Sequence, residues 1–259
     1  MNQNLYIITG ASRGMGLAMA ERLLKPENFL LCISRHVNEG LAESARAKKV
    51  SLEQWPLNLD HTIEAAAMLS QWLASRQPGA FQSATLINNA AVLPRIVPLS
   101  AANATELAQA MRVGLEAPLQ LCAAFLKGTE NWQTATTQPM LRKVLNISSG
   151  NGRRAMASQS IYSATKAGMD HFTRCLALEE ALKPNGAKVC SLAPGVIDTD
   201  MQTHLRESDP ATFPEHSRFL DFKAQGQLST PADAASRLLA YLSHPNFGSN
   251  PVADIRDAL

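Results

Sequence analysis

Thr9-Gly10-Ala11-Ser12-Arg13-Gly14-Met15-Gly16 joins an apolar run at residues 5–9 to a helical pattern over 14–25. Its glycines have distinct uses. Gly10 allows a tight turn, Gly14 lets the backbone approach a pyrophosphate, and Gly16 lets helix and strand pack closely. The helix that follows offers unpaired N–H groups and a positive dipole end to an anion. A glycine-rich turn alone is weak evidence, because turns collect glycine for backbone reasons. Between the first strand and the first helix it marks a dinucleotide site and predicts a doubly wound α/β fold.

The same rhythm repeats outward from that turn. Strand patterns lie at 5–9, 29–34, 51–57, 84–88, 143–148 and 187–192, with a weaker one near 252–256. Helical patterns lie at 14–25, 39–48, 62–76, 103–127, 158–183 and 231–243. Short apolar runs separated by helices imply right-handed βαβ units and a parallel sheet of about seven strands covered on both faces. The length of 259 residues suits one α/β domain, taken as 1–259. The rhythm breaks at 198–230, a polar stretch that carries Met201, Leu205, Phe213, Phe219, Leu220 and Phe222. It reads as a substrate lid or as a structural excursion capping the core.

Composition narrows the function classes. A net charge of +2 with scattered Lys and Arg gives no nucleic-acid footprint. No run of about 18 apolar residues suggests a membrane span, and the first residues carry no basic n-region of a signal peptide. Cys32, Cys122, Cys175 and Cys190 lie far apart in apolar stretches, which reads as buried, reduced thiols in a cytoplasmic protein. The six histidines share no ligand spacing, so no metal site is expected.

The glycine spacing is G-x-x-x-G-x-G, and four further motifs follow it in order. They are Asn88-Asn89-Ala90-Ala91 after the fourth strand, Asn146-Ile147-Ser148-Ser149 at the end of the fifth, Tyr162-Ser163-Ala164-Thr165-Lys166, and Pro194-Gly195-Val196-Ile197-Asp198-Thr199. Together they resemble the short-chain dehydrogenase/reductase family over nearly the whole chain. Within it, the stretch from Asn146 through Met201 and the ending near 228–259 look most like bacterial benzil reductases and, more distantly, sepiapterin reductases. The resemblance implies carbonyl reduction with a nicotinamide cofactor. It implies that Gly10, Ser12, Arg13, Gly14, Met15, Gly16, Asn58, Leu59, Asn89, Ala90, Pro194, Gly195, Val196, Ile197 and Thr199 hold that cofactor, with Tyr162 and Lys166 shared between cofactor and chemistry.

The end of the second strand selects the cofactor. An NAD site usually places a carboxylate there for the ribose 2′-hydroxyl. This chain has Ile33-Ser34-Arg35-His36. Arg35, beside Ser34, can pair with a 2′-phosphate, and Arg13 is a second basic residue in the turn, so NADP(H) is expected.

Ser149, Tyr162 and Lys166 are the expected catalytic residues. Hydride delivery to a carbonyl leaves negative charge on its oxygen, which must be polarised and protonated. Tyr162 and Lys166 are four apart and share a helix face. The ammonium is expected to lower the phenol's pKa from its reference near 10. Ser149, at a strand end, can hold the substrate oxygen. Taken singly, the three are an ordinary core tyrosine, a surface lysine and a strand-end hydroxyl.

One position departs from the family. Arg112-Val113-Gly114-Leu115 puts glycine where the family often has an asparagine whose main-chain carbonyl holds a relay water. If only that carbonyl matters, Gly114→Ala should keep most activity and stabilise the helix by roughly 0.4–1 kcal/mol. Ala91 replaces a usual glycine and asks its backbone to avoid positive φ. Small residues Ala164, Ala167 and Gly168 on one helix suggest a homodimer or homotetramer, or tight packing within one chain. The expected partner is a small apolar or aromatic carbonyl compound, with no nucleic acid and no membrane. The alternatives are a non-catalytic NADP(H)-binding sensor of the same fold and a reductase of another substrate, such as an acyl-carrier-protein ketone.

Overall fold

The computed structural model describes residues 3–77, 79–136 and 138–257; the remaining ends of the expected domain lie outside them. These residues hold seven strands: β1 (Gln3–Thr9), β2 (Asn28–Ser34), β3 (Ser51–Pro56), β4 (Phe81–Asn88), β5 (Leu141–Ile147), β6 (Lys188–Ala193) and β7 (Val252–Asp254). They form one sheet in the order β3-β2-β1-β4-β5-β6-β7, and every pairing is parallel. The expected strands are all found, with β4 starting at Phe81 rather than 84.

Side-chain alternation divides the core into two layers. Ile7 pairs with Leu31 and Leu86, and the row continues through Val144 to Val189. This row packs against Leu69 and Trp72 of α3 (Thr62–Ala74) and Leu121 and Phe125 of α5 (Ala117–Thr129). The next row, Ile8, Cys32, Ile87, Leu145 and Cys190, packs against Met15 and Met19 of α1 (Gly14–Leu23) and Leu238 and Leu242 of α9 (Pro231–Ser243). Burial on both faces explains why the central strands read as continuous apolar runs. The edge strand β3 carries Glu53 and Gln54 and ends at Pro56, which blunts that edge.

Local chemistry sets the helix boundaries. The Asn38 side chain accepts from Leu41 N at 2.8 Å and caps α2 (Glu39–Lys48). Asn103 caps α4 (Ala104–Met111) in the same way. The helix expected over 103–127 is not continuous. Between α4 and α5 lies a π-helical turn, Arg112–Glu116, in which Ala117 N reaches back to Arg112 O. Pro118 is the physical cause: it has no N–H for the i−4 bond to the Gly114 carbonyl, so the ladder must widen.

The stretch 198–230 contains two helices, α7 (Asp200–Arg206) and α8 (His216–Ala224). Leu205, Phe213 and Phe219 form a small third core with Ile96 and Met156, while Leu220 faces solvent. The segment is tied down by Ser158 Oγ to Thr212 O, by Thr212 Oγ1 to Ile96 O at 3.3 Å and by the Arg154–Glu215 ion pair, and Lys223 to Asp198 at 2.6 Å braces it internally. It thereby roofs the carboxyl ends of β4, β5 and β6. The longest helix described is α6 (Ser160–Ala181).

Candidate active site

The chain runs outward from β1 to β3 and then crosses back to β4, so a crevice opens at the carboxyl ends of β1 and β4. Thr9 Oγ1 ties it together, accepting from Asn89 N at 2.9 Å and Ala90 N at 3.0 Å. Asn89 Nδ2 donates back to Thr9 O at 3.0 Å and Gly10 O at 3.2 Å. Gly10 has φ +69°, a left-handed conformation that favours glycine. A Cβ on Gly16 would sit 2.1 Å from Gly10 O, so no side chain fits there. Ala91 stays out of positive φ, as its side chain requires.

A cavity of about 1310 Å³ extends from this crevice. It exceeds the usual range of about 300–1,000 Å³ for a single small ligand, leaving room for a dinucleotide and a second molecule. Every residue expected at the site lines it: the glycine turn, Ser34 and Arg35, Asn58 and Leu59, Asn89 and Ala90, Pro194 through Ile197, Thr199, and the trio Ser149, Tyr162 and Lys166.

The residues present fit a phosphorylated dinucleotide. No side chain caps the N-terminus of α1, which leaves its N–H groups for an anion. Ser34 Oγ is buried with no partner among the described residues. Arg35 is exposed and makes no ion pair or hydrogen bond among them. Arg13 differs from expectation, because it is paired with Asp200 at the start of α7. Asn58 turns its carbonyl oxygen to Asp60 N at 3.1 Å, which leaves its amide nitrogen available.

At the other end of the cavity, Ser149 closes β5 and accepts from Asn151 N at 3.2 Å. Tyr162 and Lys166 lie on the first turns of α6, both buried. Lys166 Nζ donates to Ile147 O at 2.7 Å and lies 5.7 Å from the Tyr162 ring centroid. Burial pushes the Lys166 ammonium down to about 8, while Asp170 pulls it back up. The expectation that the lysine lowers the tyrosine pKa is not met. Burial raises the phenol, and the opposing contribution comes from the Ser149 hydroxyl. Spacing along a helix shows proximity but not desolvation, which here is the larger effect.

Gly114 lies against the second turn of α6, at Thr165. A Cβ there would meet Thr165 Cβ at 3.1 Å, and Thr165 Oγ1 is committed to Tyr162 O at 2.8 Å. This reverses the sign of the earlier expectation for Gly114→Ala. Overpacking costs about 1–3 kcal/mol and outweighs the helix gain, so Gly114→Ala should unfold more easily than wild type in urea. Thr165→Ala should recover part of that loss in the double variant. A more stable single variant would contradict this packing.

Several lining residues were not anticipated: Asn151, Arg153, Arg154 and Gln159 beside Ser149 and Tyr162, and Gln202 and Arg218 in the roof. They belong to no motif, and only the fold brings them to the cavity. Of the small residues on α6, Gly168 is used within the chain, where a Cβ would meet Leu115 Cδ2 at 2.9 Å. Ala164 and Ala167 are exposed. Among the described residues no helix is long and apolar enough to cross a membrane.

Comparison with known proteins agrees with this geometry. A family model described as short chain dehydrogenase matches residues 4–210. A benzil reductase ((S)-benzoin forming) of Bacillus cereus is 31% identical over 249 residues, which is 96% of this chain and 98% of that protein. A sepiapterin reductase of Xenopus tropicalis is 31% identical over 266 residues, covering 97% and 96% of the two chains. The crystal structure of a short-chain dehydrogenase/reductase from Burkholderia vietnamiensis superposes with a TM-score of 0.63 at 32% identity, covering 98% of this chain and 99% of that one. With its parallel sheet, its glycine turn and matches of this extent, the chain belongs to the short-chain dehydrogenase family of NAD(P)-using oxidoreductases.

Proposed function

We propose that this protein reduces a hydrophobic ketone, diketone or aldehyde with NADPH, through Ser149, Tyr162 and Lys166. The observation that carries the reading is one continuous cavity. It has these three residues at one end and, at the other, the glycine turn and the end of β2, where Arg35 has no partner among the described residues and no carboxylate stands.

The glycine turn and the N-terminus of α1 would hold the pyrophosphate. Arg35 and Ser34 would take the 2′-phosphate, and Arg13 can join them, since its exposed pair with Asp200 is easily displaced. Asn58 and Leu59 would flank the adenine; Asn89, Ala90 and the segment Pro194 to Thr199 would hold the nicotinamide half. When bound, NADPH supplies the hydride. The Ser149 hydroxyl orients the substrate oxygen, and Tyr162 donates the proton. A phenol with a raised pKa is protonated at neutral pH, which suits a proton donor in the reductive direction. Lys166 supplies positive charge behind the phenol, and the Gly114 carbonyl, freed from its usual helical partner by Pro118, is the place for a relay water.

Leu93, Met156, Leu205, Phe219 and Phe222 line the substrate end, which favours apolar or aromatic carbonyl compounds, with 198–230 as the lid over them. The similarity to a benzil reductase points the same way. A homodimer or homotetramer is part of the reading, because Leu178 of α6 and Leu182 just beyond its end are 72% and 87% exposed. A monomer in sedimentation velocity would contradict it. Four free cysteines, three of them buried, accord with a reducing, cytoplasmic setting.

Two measurements test the reading. Steady-state kinetics over diketones, pteridines, quinones and aldehydes should give a higher kcat/KM with NADPH than with NADH. Arg35→Asp should shift preference toward NADH, because a carboxylate repels a 2′-phosphate and accepts from a 2′-hydroxyl. Equal or better use of NADH by the wild type would contradict the cofactor assignment. The second measurement is the pH profile. Lys166 is charged below its pKa of about 8 and loses that charge above it. Reductive kcat/KM should therefore be level near neutrality and fall as pH rises through about 8. A profile that stays level well beyond that pH would contradict the role of the ammonium.

A further inference from the structure

Asp170 is a buried carboxylate that none of the steps above uses. It lies four residues after Lys166 on α6, one helical turn away. Ser191 Oγ of β6 donates to its Oδ1 at 2.6 Å, and Arg153 Nε donates to its Oδ2 at 3.0 Å. Arg153 also donates to Ala253 O of β7 at 2.9 Å and lines the cavity. The turn that carries Ser149 is thus fastened to α6 at this point. Gly152 packs so closely that a Cβ on it would lie 3.0 Å from both Asp170 Oδ2 and Lys166 O.

We infer that Asp170 is a positioning residue: held by Arg153 and Ser191, it locks the Ser149 turn against the helix of Lys166 and keeps the lysine ammonium charged. The inference rests on the reading of Lys166 given above. A carboxylate one turn behind a buried ammonium favours its charged form, and a guanidinium on that carboxylate moderates the effect. At Lys166, Asp170 opposes burial in the first of these senses. The other groups around the lysine leave the pair in control. Tyr162 on α6 is a neutral phenol. The Cys190 thiol of β6 is pushed up to about 11 by burial and stays neutral. Asp254 at the end of β7 accepts from Nε and Nη2 of Arg256. From β5 comes the uncharged Ile147 carbonyl, which accepts from Lys166 Nζ. In the π-helical turn, Arg112 is paired with Asp60 and Glu116 accepts from Thr62.

The two partners of the ion pair must act on Lys166 with opposite signs, which a merely structural cross-tie would not produce. The test is a lysine side-chain NMR titration of the full-length protein, with the Lys166 signal assigned by its loss in Lys166→Met. Asp170→Asn removes a negative charge and leaves Arg153, so the Lys166 midpoint should fall by roughly one unit. Arg153→Gln removes a positive charge and leaves the Ser191 bond to Asp170, so the midpoint should rise by a similar amount. A midpoint that stays put in both folded variants, or moves the same way in both, overturns the inference. If Asp170→Asn does not fold, Arg153→Gln decides alone: an upward shift supports the coupling and no shift overturns it. The titration needs no turnover. Opposite shifts in a protein that reduces no carbonyl would refute the proposed function and leave this coupling standing. In an active enzyme, the alkaline limb of kcat/KM should move with the midpoint.

Discussion

Tyr162→Phe is expected to bind NADPH as the wild type does and to lose at least about 10²-fold in kcat, the lower end of what general acid catalysis contributes. The substitution removes one hydroxyl from a buried ring. The ring continues to pack, and neither the glycine turn nor Arg35 is touched, so fold and cofactor affinity should persist. The Ser149 hydroxyl would still hold the substrate oxygen. On the proposed mechanism the proton donor is what is lost. A variant that binds NADPH normally and keeps more than about a tenth of the wild-type kcat, in a reaction limited by chemistry, would falsify the assignment of Tyr162.

Lys166→Ala should lose both activity and cofactor affinity. Its ammonium stands behind the phenol and, by analogy with the family, reaches the nicotinamide ribose. A hydrogen bond to a charged group is worth about 1.5–3 kcal/mol, so the Kd for NADPH should rise roughly 10–100-fold. The rate should fall by about 10²-fold or more as a preorganised charge is removed. The fold should survive, because Asp170 retains Arg153 and Ser191 as partners. Fluorescence titration with NADPH and single-turnover kinetics on the folded variant measure the two effects separately. Loss of rate with unchanged affinity would place the lysine on the proton path alone. Unchanged values of both would remove it from the site.

The sheet and the ends of the cavity were legible in the sequence because they depend on local patterns. Apolar runs such as Leu30 to Ile33 mark strands buried on both faces, and Gly10, Gly14 and Gly16 mark the turn between β1 and α1. The five motifs sit at strand ends or on the first turns of α6, so the fold brings them together once the strand order is known. Other features depend on tertiary contacts. The pairing of Arg13 with Asp200 joins residues far apart in the chain, and so does that of Arg153 with Asp170. The raised pKa of Tyr162 follows from burial, which a four-residue spacing to Lys166 does not reveal. The interruption of the helix expected over 103–127 does have a local signal: Pro118 stands inside it, and a proline there marks the break seen as the π-helical turn beside Gly114. The two helices of 198–230 were hidden by their shortness and mixed polarity, although their aromatic residues were recognised as destined for the cavity or the core.

Transfer of a labelled hydride is the most direct test of whether this fold and site make a carbonyl reductase. The wild-type protein would be mixed in a single turnover with an aromatic diketone and NADPH carrying deuterium at the transferable position of the nicotinamide, and the product examined by mass spectrometry and NMR. The predicted result is loss of NADPH absorbance matched by one equivalent of hydroxyketone, with deuterium on the new carbinol carbon. The same mixture with Tyr162→Phe should bind NADPH but turn over at least about 10²-fold more slowly. NADPH binding without oxidation across the whole panel of carbonyl compounds, or product without deuterium at that carbon, would contradict the proposed reaction and leave a cofactor-binding sensor as the better description.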